Sequence, residues 1–218
     1  YSLFGCLAAE ALGVKEVFAP LKDYIKRIVS ENNLTGIHLY CGAILYSKLH
    51  GFDSTTEKLR LRVEEEVKSN RIGNSNYNDF IGILALYYLQ DYRNLLKLRK
   101  QIAKGGKAKE LPCSMVAAKG VACKIVGKTT VDVEKQLRSY YRNRGGFVAL
   151  QKAPVEDLLS TAVILYALNF IDSDLRDIKP ECLTYIDGLY LNGGFRATEL
   201  DFDIDIEYTF YGLLALGA

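Results

Sequence analysis

The chain has 218 residues, of which 49% are hydrophobic, and this is enough to build one substantial core. Its net charge is +2, so no overall excess of charge calls for nucleic acid or an anionic membrane as a partner. Its longest apolar runs are shorter than the roughly 20 residues that a membrane-spanning helix needs. We therefore expect a cytoplasmic protein without a transmembrane segment, and the start at Tyr1 rather than at Met predicts trimmed termini.

Six segments are rich in Ala, Gly, Leu and aromatic residues and carry few charges. Each is about three helical turns long and apolar on nearly every side, which predicts helices without a solvated face. We call them inner helices. They are Tyr1–Gly13, Ile37–Leu49, Asn78–Leu89, Pro112–Val126, Asp157–Phe170 and Ile206–Gly217.

Five segments between them carry stripes of charged residues, which predicts amphipathic outer helices. In one of them Ser54 stands three residues before Glu57, the spacing of a capping box at a helix start. The outer segments are Val14–Val29, Ser54–Asn70, Tyr92–Lys104, Val131–Arg142 and Leu175–Leu191.

Inner and outer helices alternate at a spacing of about 35 to 50 residues, a period typical of helical-hairpin repeats. Such repeats bury their inner faces only by stacking, and inner helices that are apolar on every side favour closure into a ring over an open superhelix. The sequence thus predicts an all-α fold. We expect one α/α toroid domain over residues 1–218, with six inner and about five outer helices.

The cysteines are five in number, lie far apart and include no Cys-x-x-Cys pair. Most stand among small apolar residues, which indicates buried reduced thiols rather than disulfides or a zinc site. They are Cys6, Cys41, Cys113, Cys123 and Cys182.

The C-terminal part of the chain contains an internal repeat with an offset of 48 residues. Its paired glycines permit a left-handed turn, and each of its aspartates precedes a helix start, where unpaired backbone N–H groups stabilise a carboxylate. The offset superposes Gly145-Gly146-Phe147 on Gly193-Gly194-Phe195, Asp157 on Asp205, and Thr161 on Thr209.

The Gly-Gly-Phe turn, the acidic stretch after it and the run DIEYTFYGLLALG resemble the prenyltransferase and squalene-oxidase type repeat. The segment YSLFGCLAAEALG at the start of the chain echoes that run, and the resemblance is most specific over Arg144–Ala218. It implies the α/α toroid with a central apolar cavity that protein prenyltransferase β subunits and class II terpenoid cyclases share.

Protein prenyltransferases hold a zinc ion through Asp, Cys and His, and the resemblance puts Tyr208 at the position of that His. No Asp-x-Cys precedes Tyr208 at a suitable distance, and the two histidines, His38 and His50, lie in another part of the chain. The resemblance therefore implies a protein that does not depend on zinc, and we expect no metal site of this kind.

Class II terpenoid cyclases protonate an alkene with an aspartic acid that stands just before a Thr at the start of an inner helix. Aligned on Thr209, this stretch of the chain contains Asp203, Asp205 and Glu207. Crowded carboxylates at a partly apolar site raise the pKa of at least one of them, so Glu207 or Asp205 would be the general acid. The alternative is that such an acid only caps the helix, as at Asp157.

The alternation of Asp201, Asp203 and Asp205 also allows a Mg²⁺ site, because hard cations prefer clustered oxygen ligands. The alternative is a solvated acidic loop. No other cofactor is predicted.

Candidate substrate-binding residues are basic or aromatic. Arg142 and Arg144 precede the first Gly-Gly-Phe turn, and in prenyltransferases basic residues near such turns face the isoprenoid diphosphate. A second basic segment, 93–109, would meet an anion or form a solvated face. Aromatic rings would stabilise a carbocation or simply fill the core. The binding candidates are Tyr208, Tyr211, Arg142, Arg144, His38 and Tyr40, the last two beside Cys41 at the start of an inner helix.

The leading functional hypothesis is a prenyltransferase-like or terpenoid-cyclase-like protein that handles an isoprenoid or similar long apolar substrate. Its candidate catalytic residues are Glu207, Asp205 and Asp203. The alternative is a non-catalytic α/α toroid that binds a protein or a lipid.

Overall fold

The computed structural model describes residues 1–69, 77–97, 111–125 and 127–218, and over these ranges the fold is all-α, as predicted. Residues 92–97 are helical, and a short hairpin joins β1 (Tyr190–Leu191) to β2 (Gly194–Phe195). The predicted loop at 71–76 and the basic residues at 99–109 lie outside the described residues. The remaining helices are α1 (Ser2–Ala11), α2 (Phe18–Ser30), α3 (Gly36–His50), α4 (Ser54–Ser69), α5 (Tyr77–Tyr88), α6 (Cys113–Ile125), α7 (Val131–Arg138), α8 (Leu158–Phe170), α9 (Lys179–Gly188) and α10 (Ile206–Leu216).

The predicted contrast between inner and outer helices is confirmed by the side chains that each kind buries. The inner helix α8 has buried side chains at almost every position from Leu158 to Leu168. The outer helix α4 buries only one stripe, which contains Leu59, Val63 and Val67. Spacings of three to four residues put these side chains on a single face of the helix.

Several helix boundaries differ from the predicted ones. Helix α2 begins only at Phe18, and α7 ends at Arg138. Helix α9 begins at Lys179 and has Pro180 in its first turn, where a residue without an N–H is tolerated. The cap of α4 is Asp53 rather than Ser54, because its Oδ1 accepts the N–H groups of Thr55 and Thr56. The predicted capping box at Ser54 is therefore wrong.

The chain divides into two compact units, which we treat separately. The N-terminal unit comprises Ser2 and Ala9–Gly106, and the C-terminal unit comprises Tyr1, Leu3–Ala8 and Lys107–Ala218. The single toroidal domain stays a prediction.

In the N-terminal unit, α3 contacts α2, α4 and α5. Close packing between α3 and α5 depends on Gly82, because a Cβ atom there would lie 3.2 Å from the Tyr40 ring. An ion pair joins Arg60 of α4 to the buried carboxylate of Asp91, with 3.1 Å between Nη1 and Oδ2. Asp91 also accepts a hydrogen bond from Asn94 Nδ2 at 2.7 Å, so this buried charge is paired and hydrogen-bonded.

In the C-terminal unit, α8 contacts both α6 and α10, so the three inner helices are neighbours in chain order. Helix α7 packs on α6 and α8, and α9 packs on α10. Together they enclose one apolar core, in which Tyr140, Phe147, Leu158, Ile164 and Ile186 are fully buried.

The two Gly-Gly-Phe turns have the left-handed backbone that the sequence predicts. Gly145 and Gly193 each have a φ of +90°, which residues with a side chain rarely adopt. The phenylalanines that follow, Phe147 and Phe195, are buried, as expected for side chains that fix a loop to the core.

Each turn also binds the start of the preceding inner helix. The N–H of Cys113, the first residue of α6, donates to the carbonyl oxygen of Ala149 at 2.8 Å. In the same way, the N–H of Leu158 at the start of α8 donates to the carbonyl oxygen of Ala197 at 2.8 Å. The first N–H groups of a helix lack partners within it, so each repeat completes the hydrogen bonding of its neighbour.

Substitution of Gly212 by Ala tests the close packing of the second turn. A Cβ atom at Gly212 would lie 2.5 Å from Cγ of Phe195, whose ring is buried and in edge contact with Tyr190. We expect Gly212→Ala to lower the free energy of unfolding by about 1–3 kcal/mol, measured by chemical denaturation. Gly188→Ala is the matched control, because a Cβ atom there meets no atom within 4 Å. Equal losses in both variants would contradict the packing argument.

Candidate functional site

The starts of α8 and α10 have the same capping interaction. Asp157 Oδ1 accepts the N–H of Ser160 at 2.7 Å, and Asp205 Oδ1 accepts the N–H of Tyr208 at 2.8 Å. Both aspartates are therefore N-caps, which satisfy donors that the helix leaves unpaired. The capping interpretation of Asp157 and Asp205 is confirmed.

A threonine in the first turn of each helix connects that helix to its Gly-Gly-Phe turn. Thr161 Oγ1 accepts the N–H of Phe147 at 3.0 Å and donates to the carbonyl oxygen of Asp157 at 2.8 Å. In the second copy, Thr209 Oγ1 accepts the N–H of Phe195 at 3.3 Å and donates to Asp205 O at 2.7 Å. The threonine that aligns with the cyclase motif thus has a structural role in both copies.

The two helix starts differ in burial. In the first copy, burial raises the pKa of Asp157, although the bonds from Ser160 oppose the shift. In the second copy, Asp205 is exposed and Glu207 is half-buried. Burial raises the pKa of Glu207, and the charge of Asp205 raises it further. No hydrogen bond or ion pair engages the Glu207 carboxyl within the described parts of the chain, so its proton is available for transfer.

The aromatic candidates of α10 belong to the apolar core. Tyr208 is half-buried against that core, and Tyr211 is almost fully buried. The Tyr211 ring lies 5.8 Å from the ring of Phe4 and 5.3 Å from that of Phe210, with tilted geometry. These separations are typical of packed aromatic pairs, so the Tyr211 ring stabilises the core around Glu207.

The two candidate arginines have different surroundings. The Arg142 guanidinium donates to the carbonyl oxygens of Tyr141, at 2.9 Å, and of Gln151. It therefore holds its own loop together. Arg144 is exposed, and its Nη1 lies 3.9 Å from the Glu199 carboxylate. Solvent screens a pair of this kind, which leaves the Arg144 charge accessible to an anion.

The acidic loop before α10 is mostly solvated. Asp203 is exposed, and Asp201 Oδ2 accepts the hydroxyl of Thr198 at 2.8 Å. In the part of the chain that the structure describes, no group of three or more His, Cys, Asp and Glu side chains is arranged to hold a metal ion. The Mg²⁺ site therefore stays a prediction.

The remaining candidates, His38 and Tyr40, lie in the N-terminal unit at the start of α3. His38 is exposed, whereas Tyr40 is buried. Burial raises the pKa of the neighbouring Cys41 thiol, which disfavours the nucleophilic thiolate. Of the second basic segment, the structure describes Arg93 and Lys97 only.

The cysteines are free thiols, as predicted. All but Cys41 are buried, and burial raises the pKa of both Cys113 and Cys182 to about 12. Thiols of this kind are inert parts of the core.

Two structural roles were not identified from the sequence. The offset of 48 residues pairs Thr161 with Thr209, and this repetition was the available signal for their link to the turns. Arg142 gave no such signal, because its partners are backbone carbonyl oxygens whose positions depend on the folded loop.

Comparison of the chain with family models, with curated proteins and with solved structures finds no match. Among the described helices, none is long and apolar enough to span a bilayer.

Substitution of each repeat threonine by valine tests its role in the turn. Thr161→Val leaves the N–H of Phe147 buried without a partner and should lower the free energy of unfolding by about 1–3 kcal/mol. Thr209→Val should have a smaller effect, because Thr209 is half-buried and water can replace its hydroxyl. Thr184→Val, at an exposed helical position, is the control and should have almost none. Denaturant unfolding measures all three, and a different order would contradict the assignment.

Proposed function

We propose that the chain is a zinc-independent α/α toroid of the prenyltransferase and terpenoid-cyclase type. It handles an isoprenoid or a similar long apolar substrate, and Glu207 is its proton donor. The observation that supports this role is the Glu207 carboxyl itself. It is half-buried at the start of the last inner helix, its pKa is raised, and no described residue is bound to it.

The chemistry of the proposal is protonation of an alkene. The O–H bond of the Glu207 carboxyl breaks, and the proton forms a new C–H bond at the less substituted alkene carbon. Positive charge develops on the neighbouring carbon, while Glu207 keeps the electron pair as a carboxylate. A carboxyl group whose pKa is raised retains the proton that this step requires.

The other candidates have supporting roles in this proposal. Asp205 caps α10 and raises the pKa of Glu207 through its charge. Tyr208, half-buried next to the acid, would contact the substrate. The exposed guanidinium of Arg144 would attract a diphosphate group, and Asp203 would remain in solvent.

A non-catalytic toroid that binds a lipid is the second candidate, and the loop before α10 favours it. Leu200 is 72% exposed and Phe202 is 85% exposed in this loop. Neighbouring large apolar side chains of such high exposure are typical of surfaces that contact an apolar partner. The acidic residues between them would repel an anionic membrane, so the partner surface would be neutral.

Substitution of Glu207 by Gln tests the catalytic proposal. Incubation with squalene and with geranylgeranyl diphosphate should give product with the wild-type chain and at least about 100-fold less with Glu207→Gln. The rate should fall as the pH rises through the pKa of Glu207, since only the protonated carboxyl is active. Asp203→Asn is the matched control and should leave the rate unchanged. Lack of product with the wild-type chain, or a thermal unfolding temperature that falls strongly in Glu207→Gln, would favour a purely structural carboxyl.

Binding to neutral vesicles tests the alternative. If the loop contacts lipid, the chain should pellet with phosphatidylcholine vesicles, and Phe202→Ser should reduce the bound fraction. Leu61→Ser makes the same kind of change at an exposed position of α4 and serves as the control. Failure of the wild-type chain to pellet would exclude this lipid.

A further inference from the structure

The N-terminal unit contains a pocket of about 480 Å³ between α2 and α4. Helix α2 contributes Lys26 and Ser30 to its wall, and α3 contributes Tyr46. Helix α4 contributes Thr55, Lys58 and Arg62. The pocket is therefore lined by three cationic side chains and three hydroxyl groups, a combination that is suited to an anion with several oxygen atoms.

The three positive charges are not neutralised by the protein. Lys58 and Arg62 are four residues apart on α4, so they lie on the same face of the helix, where like charges repel each other. No ion pair joins Lys26, Lys58 or Arg62 to a carboxylate within the described ranges. Lys26 and Lys58 are exposed to solvent, which lets both side chains reach a ligand.

The acidic residue bound to the pocket wall, Asp53, has another function. Its Oδ2 accepts the hydroxyl of Tyr46 at 2.9 Å, and its Oδ1 accepts the N–H groups of Thr55 and Thr56 at 2.8 and 2.9 Å. These bonds help to lower the pKa of Asp53. Asp53 thus caps α4 and leaves the lysines without a counter-charge.

Arg62 is fixed in position by the backbone. Its Nη2 donates to the carbonyl oxygens of Leu34, at 2.6 Å, and of Asn32, at 3.4 Å. Its Nε and Nη1 groups donate to no residue that the structure describes. An arginine held in this way keeps part of its planar set of donors for the oxygens of a phosphoryl group.

We propose that this pocket binds a phosphoryl-bearing polyanion. Three cations call for an anion with at least two negative charges, and the volume exceeds what a single phosphate fills. The site is made only of residues from the N-terminal unit, whereas Glu207 belongs to the C-terminal unit. It is thus separate from the proposed proton donor, and the failure of either proposal leaves the other unaffected.

Isothermal titration calorimetry of the intact chain with sodium pyrophosphate tests the site. We expect saturable binding of one pyrophosphate per chain. The affinity should fall when sodium chloride is raised from about 50 to about 300 mM, because salt screens the charges. The double variant Lys26→Gln with Lys58→Gln should bind at least about tenfold more weakly, since two charge-assisted contacts are lost.

The matched control is Lys15→Gln with Lys135→Gln, which removes the same charge at two exposed positions that do not line the pocket. It should bind pyrophosphate as the wild-type chain does. Circular dichroism checks that both double variants are folded, which is expected because the four lysines are exposed. Absence of saturation at millimolar pyrophosphate, or an equal loss of affinity in the control, would overturn the proposal.

A second measurement distinguishes a soluble phosphoryl compound from a lipid headgroup. The chain is pelleted with phosphatidylcholine vesicles that contain phosphatidic acid. Pelleting that the Lys26→Gln and Lys58→Gln changes abolish would identify a headgroup as the source of the phosphoryl group. Pyrophosphate binding without such pelleting would identify a soluble ligand. Pelleting that is the same in the control and in the pocket variant, without pyrophosphate binding, would contradict a specific site.

Discussion

The hydroxyl groups of Thr161 and Thr209 make the interaction on which the C-terminal unit depends. Each hydroxyl accepts the backbone N–H of a buried phenylalanine and donates to the carbonyl oxygen of the helix cap. A hydroxyl can do both at once, which neither an amide nitrogen nor a carboxylate can. The link matters because a buried N–H without a partner is costly. It fixes each Gly-Gly-Phe turn, whose own alanine carbonyl then binds the start of the preceding inner helix.

This arrangement explains why the two copies share most of their residues and where they differ. In the first copy, the Ser160 hydroxyl donates to Asp157 Oδ2 at 2.7 Å, so both carboxylate oxygens of the cap are bound. The second copy has Tyr208 at that position and Glu207 where the first has Leu159. These replacements leave the backbone of the repeat unchanged and introduce an ionisable group at the start of α10. The residues that the repeat does not need for its structure are thus those with room for another function.

Much of the fold could be predicted because the relevant signals are local. The contrast between apolar and striped segments identified the inner and outer helices, and the paired glycines identified the turns. Local signals were also where the prediction failed: Ser54 fits a capping box, but Asp53 occupies the cap, because its carboxylate reaches two backbone N–H groups. The role of Arg142 and the pocket around Lys26 and Lys58 depend on how distant segments pack. Residues 32 positions apart in the sequence carry no common pattern that would reveal a shared pocket.

The environment of Glu207 results from two opposing effects at one helix start. The first turn of a helix favours a carboxylate, because its N–H groups point towards the charge. Asp205 has already taken the N–H of Tyr208, so this donor is not available to Glu207. Burial and the charge of Asp205 then favour the protonated form. The cap that stabilises α10 therefore also removes a group that would stabilise the Glu207 anion. A repeat unit built for stability would in this way acquire a proton donor through one side-chain replacement, without any change in its backbone.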